Sequence, residues 1–277
     1  MQTKQIKIGK STISNKNPFV LIAGPCVLTN IKESLYIAGY CKSVCEKYNV
    51  PYIFKGSYDK ANRTNIKSLR GPGIHKGLDI LSIIKEKLNI PVLTDIHNAY
   101  DADLVGSVVD IIQIPAFLSR QTDLIVESAK TNKVVNIKKG QFLAPNDMKS
   151  ILGKSVSTGN KKIMLTERGT SFGYNNLIVD YRGIEKMKSF GYPVIFDATH
   201  SVQLPGSAGT QSGGEREYIL PLSKAAAALG VAGLFMEVFP DPAKSPSDSA
   251  TVLPLKSLSK VLGELKKIDK IIKETRI

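Results

Sequence analysis

The chain has 277 residues but no tryptophan, only three histidines and only three cysteines, Cys26, Cys41 and Cys45. Three unevenly spaced cysteines cannot form a disulfide framework, which favours a reducing compartment. The amino terminus has no apolar segment typical of a secretory signal. The longest apolar stretch, residues 225–236, is interrupted by glycines and is too short to span a bilayer. We therefore expect a soluble, cytoplasmic protein without a membrane partner.

Acidic residues are scarce relative to basic ones, and the formal net charge is +14. Such an excess is found in nucleic-acid-binding proteins, but an enzyme that handles anionic substrates also tolerates it. The lysines of residues 256–273 follow a helical pattern and have no aromatic residues between them that would stack on bases. A solvated helix face explains this segment most simply, and we expect no nucleic-acid partner.

Short runs of Val, Ile, Leu and Phe alternate with amphipathic segments, as in sheets whose strands are buried on both faces between helices. The predicted strands are residues 19–23, 52–54, 92–94, 111–114, 134–137, 163–165, 194–196 and 234–236. The predicted helices are residues 31–48, 74–88, 101–109, 121–130, 146–152, 183–190, 215–229 and 255–273. This alternation predicts an α/β fold of the closed (β/α)8 TIM-barrel type. An open doubly wound sheet is the alternative, but no G-x-G-x-x-G motif opens a helix here.

Outside the repeating pattern, the sequence predicts a small hairpin and three long loops. Residues 4–16 alternate polar and apolar around Gly9 and Lys10, which indicates a hairpin ahead of the barrel. The long loops are residues 62–72, 170–181 and 203–214, and the last is rich in glycine and serine, as expected of a mobile lid. We expect a single catalytic barrel domain over residues 1–277, with the hairpin in residues 1–17.

Almost every predicted strand ends in a polar or charged residue. In a parallel barrel these ends meet at one mouth, where catalytic groups collect. Cations converging there would bind phosphate and carboxylate groups. Residues 52–64 supply several of them, although this stretch alone is equally well explained as a solvated loop. The candidate cations are Lys55, Lys60, Arg63, Lys138 and Arg168, with Arg120 farther from the strand ends.

A second set of residues has the chemistry of a metal site. Cys26, His200 and Glu237 follow the first, seventh and eighth predicted strands, which are neighbours in a closed barrel, and Asp248 lies in the next loop. Thiolate, imidazole and carboxylate ligands suit a divalent ion such as Zn²⁺, Fe²⁺ or Mn²⁺. The four residues are far apart in sequence, and Cys26 also fits the role of a buried apolar residue.

The other cysteines and histidines have simpler interpretations. Cys41 and Cys45 lie four residues apart on the same predicted helix face as Leu35, so we expect them in the core. His75 begins a helix after a Gly-Pro-Gly turn and is expected at the surface or at the helix end. His97, at the end of the third strand, fits either a substrate contact or a structural hydrogen bond.

Ten motifs occur in order along the chain, at residues 24–26, 55–64, 70–73, 113–117, 120–123, 138–142, 167–169, 172–176, 196–203 and 212–214. With them, the chain resembles the 3-deoxy-D-manno-octulosonate 8-phosphate synthase family over about residues 6–270. The resemblance implies a transferase that condenses phosphoenolpyruvate with D-arabinose 5-phosphate and water and releases phosphate. This reaction belongs to lipopolysaccharide (Kdo) biosynthesis. A catalytically silent barrel is disfavoured, because the cationic and metal-ligand sets are both complete.

The resemblance also implies a role for each site residue. For phosphoenolpyruvate the binding residues would be Lys55, Ser57, Lys60, Lys138 and Arg168. For the sugar phosphate they would be Asn62, Arg63, Thr64 and, from a neighbouring subunit, Arg120. Residues expected to contact substrate or relay protons are Asp95, His97, Gln113 and Gln203. The catalytic residues would then be Asp95, His97, Lys138 and His200.

Two sequence features indicate which of the related synthases the chain resembles most. One branch has asparagine at the position of Cys26 and needs no metal, so Cys26 implies the metal-dependent branch, with His200, Glu237 and Asp248 as further ligands. The related heptulosonate synthases have Lys-Pro-Arg-Thr where this chain has KANRT at residues 60–64. Thr64, commonly serine in the family, keeps the hydroxyl group. Because the family is tetrameric, we expect a homotetramer.

Overall fold

A computed structural model of the chain describes residues 3–208 and 211–275. The elements, in chain order, are β1 (Ile6–Ile8), β2 (Ser11–Ile13), β3 (Val20–Gly24), α1 (Ile31–Lys47), β4 (Tyr52–Lys55), α2 (Ile74–Leu88), β5 (Val92–Asp95), α3 (Ala102–Val108), β6 (Ile111–Ile114), α4 (Thr122–Lys130), β7 (Val134–Lys138), α5 (Asp147–Val156), β8 (Ile163–Glu167), β9 (Thr170–Ser171), β10 (Leu177–Ile178), α6 (Tyr181–Lys188), β11 (Val194–Asp197), β12 (Gln203–Ala208), β13 (Gln211–Gly214), α7 (Ile219–Ala228), β14 (Gly233–Phe239), β15 (Leu253–Pro254) and α8 (Leu258–Glu274).

Eight parallel strands form a closed barrel. Strands β3 to β8 pair in succession, β11 pairs with β8, and β14 pairs with both β11 and β3. The pairing of β14 with β3 closes the ring, so the predicted (β/α)8 barrel is confirmed and the open sheet is excluded. Helices connect the successive strands, as parallel pairing requires. The short strand β15 extends the sheet beside the end of β14.

The barrel strands bury both of their faces in two separate apolar clusters. Outward residues such as Leu21 and Phe54 pack with helix residues such as Ile37 and Leu81. Inward residues, for example Leu93, form a second cluster inside the barrel. Burial on both faces explains why the strands appear in the sequence as continuous apolar runs rather than alternating ones.

The amino-terminal hairpin closes one end of the barrel. Strands β1 and β2 pair antiparallel around Gly9 and Lys10, as predicted. Ile6, Ile8 and Ile13 of the hairpin are buried and belong to the cluster inside the barrel. The hairpin is therefore the floor of the barrel, and only the carboxyl ends of the strands remain available for an open mouth.

The inward face of the barrel changes from apolar to polar along most of its strands. Side chains of a strand point to the same face every second residue. Leu93 of β5 is inward and apolar, and Asp95 is the next residue on that face. The same step occurs from Ile111 to Gln113, from Val134 to Asn136, from Met164 to Thr166 and from Ile195 to Asp197. The barrel thus has an apolar floor beneath a polar half.

Two of the predicted long loops contain strands. Within residues 170–181, β9 and β10 form an antiparallel pair, and within residues 203–214, β12 and β13 form a hairpin. Residues 209 and 210, which separate β12 from β13 in the sequence, lie outside the described residues. The glycine- and serine-rich sequence has low strand propensity, so its pairing depends on the surrounding loops. Residues 62–72 contain no helix or strand, as predicted.

The helix predictions are correct in number and differ at the ends. Helix α2 has the predicted limits, whereas α5 continues to Val156 and α7 begins only at Ile219, after a 3-10 turn. Cys41 and Cys45 are buried in the core, and His75 is exposed at the start of α2, as predicted. Within residues 3–208 and 211–275, no helix is long and apolar enough to cross a lipid bilayer.

Candidate active site

A cavity of about 320 Å³ lies at the carboxyl ends of the barrel strands. Because these strands are parallel and neighbouring, residues distant in sequence meet at this mouth. Its wall contains most of the residues that the sequence analysis selected. These are Lys55, Lys60, Asn62, Thr64, Asp95, His97, Lys138, Arg168, His200, Gln203, Glu237 and Asp248.

Five selected residues are not in the wall that the described residues form. Cys26, Ser57 and Gln113 are buried behind it and hydrogen-bond to wall residues. Arg63 and Arg120 differ from these three, because Arg63 is engaged between two loops and Arg120 is exposed to solvent. The structure therefore brings the predicted core of the site together and leaves these two arginines outside it.

Lys55 connects two parts of the site. Its Nζ donates to Oε1 of Glu237 at 2.7 Å and to the backbone carbonyl of Cys26 at 2.6 Å. Lys60 Nζ lies 3.7 Å from the same Glu237 oxygen. Burial alone would raise the pKa of Glu237, but Lys55, followed by His200 and Lys60, holds it well below its usual range. Glu237 is therefore an anion surrounded by cations.

Asp197 holds two other wall residues. Its Oδ2 lies 2.7 Å from Lys138 Nζ and 2.8 Å from His200 Nδ1. The Lys138 ammonium also lies 3.8 Å from the ring centroid of Phe235, which adds a cation–π contact. Burial would raise the pKa of Asp197, but His200 and Lys138 outweigh burial and lower it. Asp197 is not among the predicted site residues, although it ends the seventh barrel strand.

Arg168 has one nitrogen paired and one available. Its Nη2 donates to Oε1 of Gln203 at 2.9 Å, whereas Nη1 is buried and has no hydrogen-bond partner among the described residues. The carboxylate of Glu167 accepts the backbone N–H groups of Arg168 and Gly169, and Lys139 Nζ lies 3.4 Å from it. A buried guanidinium with a free donor is suited to bind an anion.

Asp95 is an ionised carboxylate at the cavity wall. The hydroxyl of Ser57 donates to its Oδ2, and the side-chain amide of Gln113 donates to its Oδ1. Burial alone would raise the pKa of Asp95, but the nearby ammonium groups of Lys60, Lys55 and Lys138 lower it below the usual range. Asp95 is therefore negatively charged at neutral pH.

His97 is neutral in this environment. Burial lowers its pKa more than the carboxylates of Asp95 and Asp59 raise it. The ring makes an edge contact with Tyr58 at 5.4 Å between centroids, and its buried Nδ1 has no hydrogen-bond partner among the described residues. The structural hydrogen bond considered from the sequence is thus not seen at Nδ1, and the ring lies in the cavity wall.

Three of the four predicted metal ligands form a compact cluster. Ligand atoms of Cys26, Glu237 and Asp248 all lie within 4.8 Å of one another. The Cys26 thiol donates to Oδ2 of Asp248 at 2.8 Å. Burial, followed by the charges of Asp248 and Glu237, raises the pKa of Cys26 well above its usual value. One thiol and two carboxylates suit a divalent transition metal, so the donor set fits such an ion.

His200, the fourth predicted ligand, lies beside this cluster but outside the compact set. Its Nε2 is 3.6 Å from Oε1 of Glu237, and its Nδ1 is held by Asp197. An imidazole whose Nδ1 contacts a carboxylate has its ring orientation fixed, which is common for histidines that bind metals. The remaining nitrogen, Nε2, is therefore the one directed toward Glu237.

Arg63 connects the loop after β4 with the loop after β14. Its Nη2 donates to the carbonyls of Leu69 at 2.7 Å and Pro246 at 2.8 Å, and Nη1 donates to the Ser247 hydroxyl at 2.7 Å. Ser247 in turn donates to Asp248. The guanidinium of Arg63 thus fastens one mouth loop to the loop that contains a candidate metal ligand.

Comparison with known proteins agrees with this geometry. The sequence profile of the DAHP synthetase I family matches residues 2–274. The chain belongs to the DAHP synthetase I family. It is similar to the 2-dehydro-3-deoxyphosphooctonate aldolases of Fusobacterium nucleatum (52% identity, 97% of both chains), Geotalea uraniireducens (53% identity, 98% of this chain and 99% of the relative) and Geobacter sulfurreducens (52% identity, 98% and 100%). The resemblance found in the sequence is therefore confirmed.

In this member of the DAHP synthetase I family, the wall also contains residues for which sequence analysis proposed no function. Asp59 and Gln141 are both part of the wall. Each lies inside a motif that was recognised, residues 55–64 and 138–142, so a reading of all polar positions in these motifs would have found them. Phe117 also lines the cavity, and the motif at residues 113–117 ends at it.

Proposed function

We propose that the chain condenses phosphoenolpyruvate with D-arabinose 5-phosphate and water to give 3-deoxy-D-manno-octulosonate 8-phosphate and phosphate, in lipopolysaccharide biosynthesis. The observation that carries this proposal is the convergence of Lys55, Lys60, Lys138 and Arg168 on one cavity. A substrate pair with two phosphates and a carboxylate requires such fixed cations. The relatives at 52–53% identity support it, because 2-dehydro-3-deoxyphosphooctonate aldolase is another name for this synthase.

Phosphoenolpyruvate binds against the four wall cations in this proposal. The unpartnered Nη1 of Arg168 supplies a donor for its phosphate or carboxylate. Lys55 contributes charge from the base of the cavity while it remains bonded to Glu237. Ser57 lies behind Asp95 and contributes to phosphoenolpyruvate binding only indirectly, because its hydroxyl donates a hydrogen bond to the Asp95 carboxylate.

The sugar phosphate binds nearer the rim, at Asn62 and Thr64 of the loop after β4. Arg63 joins them once its guanidinium leaves the carbonyls of Leu69 and Pro246. Because a phosphate is a stronger acceptor for guanidinium than neutral carbonyls are, this exchange is favourable. Arg120 is exposed and would serve the cavity of a partner subunit.

The reaction joins the enol carbon of phosphoenolpyruvate to the aldehyde carbon of the sugar. Water adds at the neighbouring carbon, and the C–O bond to phosphate breaks. Asp95 accepts a hydrogen bond from a substrate hydroxyl. Neutral His97 accepts or returns a proton at Nδ1, which has no hydrogen-bond partner among the described residues. Lys138, oriented by Asp197, and Arg168 stabilise the negative charge that develops on oxygen.

Cys26, His200, Glu237 and Asp248 would hold a divalent ion, either Zn²⁺, Fe²⁺ or Mn²⁺. The proximity of the Cys26 thiol and the Glu237 and Asp248 carboxylates in one cluster supports this assignment, and His200 Nε2 lies 3.6 Å from Glu237. When bound, such an ion supplies Lewis-acid chemistry that polarises the aldehyde oxygen or a water molecule. The residues of the chain contribute by fixing the ligand positions, since Lys55 holds Glu237 and Asp197 holds His200.

Phosphate release from phosphoenolpyruvate tests the function directly. The purified protein is given D-arabinose 5-phosphate or D-erythrose 4-phosphate, each with and without a chelator. We expect release with arabinose 5-phosphate and little with erythrose 4-phosphate. Equal or faster release with erythrose 4-phosphate would instead identify a heptulosonate synthase. Lys60→Met should abolish most of the release, whereas Lys149→Met, at an exposed position of α5, should not affect it.

A cytoplasmic homotetramer completes the proposal. Phe117, Phe142 and Phe172 lie on the successive loops after β6, β7 and β8 and are 54%, 54% and 69% exposed. Two of these loops touch, since the Ser171 N–H donates to the Gln141 carbonyl at 2.8 Å. Exposed aromatic side chains grouped in this way are typical of a subunit interface.

The cytoplasmic location is supported by the cysteines. The three free cysteines fit a reducing compartment.

A further inference from the structure

A chain of hydrogen bonds crosses the polar half of the barrel and ends at Asp95. Thr166 Oγ1 donates to Asn136 Oδ1 at 2.7 Å, and Asn136 Nδ2 donates to Gln113 Oε1 at 2.9 Å. The Gln113 amide then donates to Asp95, whose second oxygen accepts the Ser57 hydroxyl. Thr166, Asn136 and Gln113 are each at most 1% exposed. Each of the strands β5 to β8 supplies one member.

All donors in this chain point toward Asp95. An ionised carboxylate only accepts hydrogen bonds, so Gln113 must present its NH₂ group to it. The carbonyl of Gln113 then faces Asn136 and needs a donor there, and the carbonyl of Asn136 needs the hydroxyl of Thr166. Reversing any amide would place two acceptors against each other in a buried site, which is costly. The ionised Asp95 therefore sets the direction of both amides, and the Thr166 hydroxyl satisfies the acceptor at the far end of the chain.

Asn136 and Thr166 are separated from the cavity, although they belong to the same polar layer. Asp95 is the register partner of Gln113, and Gln113 is the register partner of Asn136. Asp95 is in the cavity wall, but neither Asn136 nor Thr166 is part of the wall that the described residues form. The side-chain hydrogen bonds of these two residues therefore reach the wall through Gln113 and Asp95.

We propose that Asn136 and Thr166 are positioning residues for the condensation, because they fix the Gln113 amide and so keep Asp95 in one orientation as an ionised acceptor. This inference rests on the proposed function. The titratable groups near Asp95 are the ammonium groups of Lys55, Lys60 and Lys138 and the side chains of His97 and Tyr58, in addition to its two hydrogen-bond donors. The cations keep the Asp95 carboxyl group ionised, and the chain of donors fixes the orientation of that carboxylate.

The decisive comparison is Thr166→Val with Thr166→Ser. Valine keeps the shape and removes the donor, whereas serine keeps the donor. We expect Thr166→Val to lower kcat about 10-fold, the effect of one unsatisfied buried acceptor. KM for phosphoenolpyruvate should stay unchanged, because its cations are untouched. Thr166→Ser should restore kcat.

Asn136→Asp provides a second, independent variant. It keeps the shape but, when the new carboxyl is ionised, the Gln113 carbonyl faces an acceptor instead of the NH₂ group of Asn136. We expect a larger loss of kcat, again with KM for phosphoenolpyruvate unchanged. Folding of each variant is checked by circular dichroism and thermal unfolding. If Thr166→Val does not fold, Thr166→Ala removes the same hydroxyl without placing a new methyl group against Asn136.

Two results would overturn the inference. One is a wild-type kcat in both Thr166→Val and Asn136→Asp. The other is an equal loss in Thr166→Val and Thr166→Ser, which would indicate packing rather than the donor. Failure of the proposed function is distinguishable from both, because the wild-type protein would then release no phosphate from phosphoenolpyruvate and arabinose 5-phosphate.

Discussion

Several buried charged residues of the site form ion pairs within the chain. Glu237 is paired with Lys55, Asp197 with Lys138, and Glu167 with Lys139. A buried ion pair contributes little net stability, but removing one partner leaves an uncompensated charge and is strongly destabilising. Single substitutions in this layer should therefore change the stability of the fold as well as activity.

Lys139 stabilises the turn that contains Arg168. Its buried ammonium donates to the Gly169 carbonyl and the Thr170 hydroxyl and lies beside Glu167. We expect Lys139→Met to lower the free energy of unfolding by about 3 kcal/mol and to raise KM for phosphoenolpyruvate. Urea unfolding and steady-state kinetics measure the two effects. The exposed Lys149→Met is the control, and equal stability of both variants would contradict the prediction.

Asp95 should make stability depend on pH in the acid range. Its pKa is lowered in the folded state, so its contribution is present above the unfolded pKa of about 4 and is lost as pH falls through the folded value. Asp95→Asn should be less stable than wild type at neutral pH. The two free energies of unfolding should converge as pH falls below about 4. Urea unfolding over this range tests it, and a difference that does not change with pH would refute it.

Cys26 should determine metal content. Cys26→Ser removes the thiol from the cluster with Glu237 and Asp248, so the purified variant should retain much less divalent metal than wild type. Elemental analysis measures this without reference to activity. Cys41→Ala, in the core of α1, is the matched control and should keep its metal. Full activity of wild type after chelation, without any response to added metal, would show that the metal proposal is wrong.

At the scale of elements, periodic apolar runs were sufficient to locate the eight barrel strands. Strand β6 has the limits predicted from the sequence, and the other barrel strands differ by a few residues at their ends. The pairs β9–β10 and β12–β13 were not predicted. These segments have little apolar content, and a contact between them, from the Asn175 side chain to the Pro205 carbonyl, is set by tertiary structure.

The hairpin β1–β2 should be required for the stability of the barrel. Ile13 is fully buried in the inner cluster, whereas its neighbour Thr12 is exposed. We expect Ile13→Ala to lower the free energy of unfolding by about 3 kcal/mol. Thr12→Ala in the same strand should change it by less than about 0.5 kcal/mol. Chemical denaturation measures both, and equal effects would mean that the hairpin does not support the barrel floor.

At the scale of the whole molecule, the site was predictable to the extent that it lies at strand ends. Lys55, Asp95, Lys138 and Glu237 each end or nearly end an apolar run, and a closed barrel necessarily brings such positions together. Asn136 was not selected, because one polar residue inside an apolar run does not indicate its partners. The orientation of Arg63 was likewise inaccessible, since it depends on where the loop after β14 passes.

The exposed aromatic residues predict self-association. Phe142→Asp places a charge among Phe117, Phe142 and Phe172 and should shift the protein toward smaller species, as measured by analytical ultracentrifugation. Tyr36→Asp is the control, because Tyr36 is 55% exposed on α1, similar to the 54% of Phe142. A monomeric wild type, or an unchanged assembly in Phe142→Asp, would contradict the proposed tetramer.

The closure of the barrel has a consequence for how the protein is synthesised. Strand β3 is the first barrel strand to leave the ribosome, yet one of its two neighbours, β14, ends at Phe239. Until β14 has been synthesised, one edge of β3 is unpaired. During this time the hairpin β1–β2 packs on a barrel interior that still lacks Phe235. Open strand edges are prone to pairing with other chains. Nascent chains are therefore most exposed to aggregation and to chaperones until β14 has been synthesised.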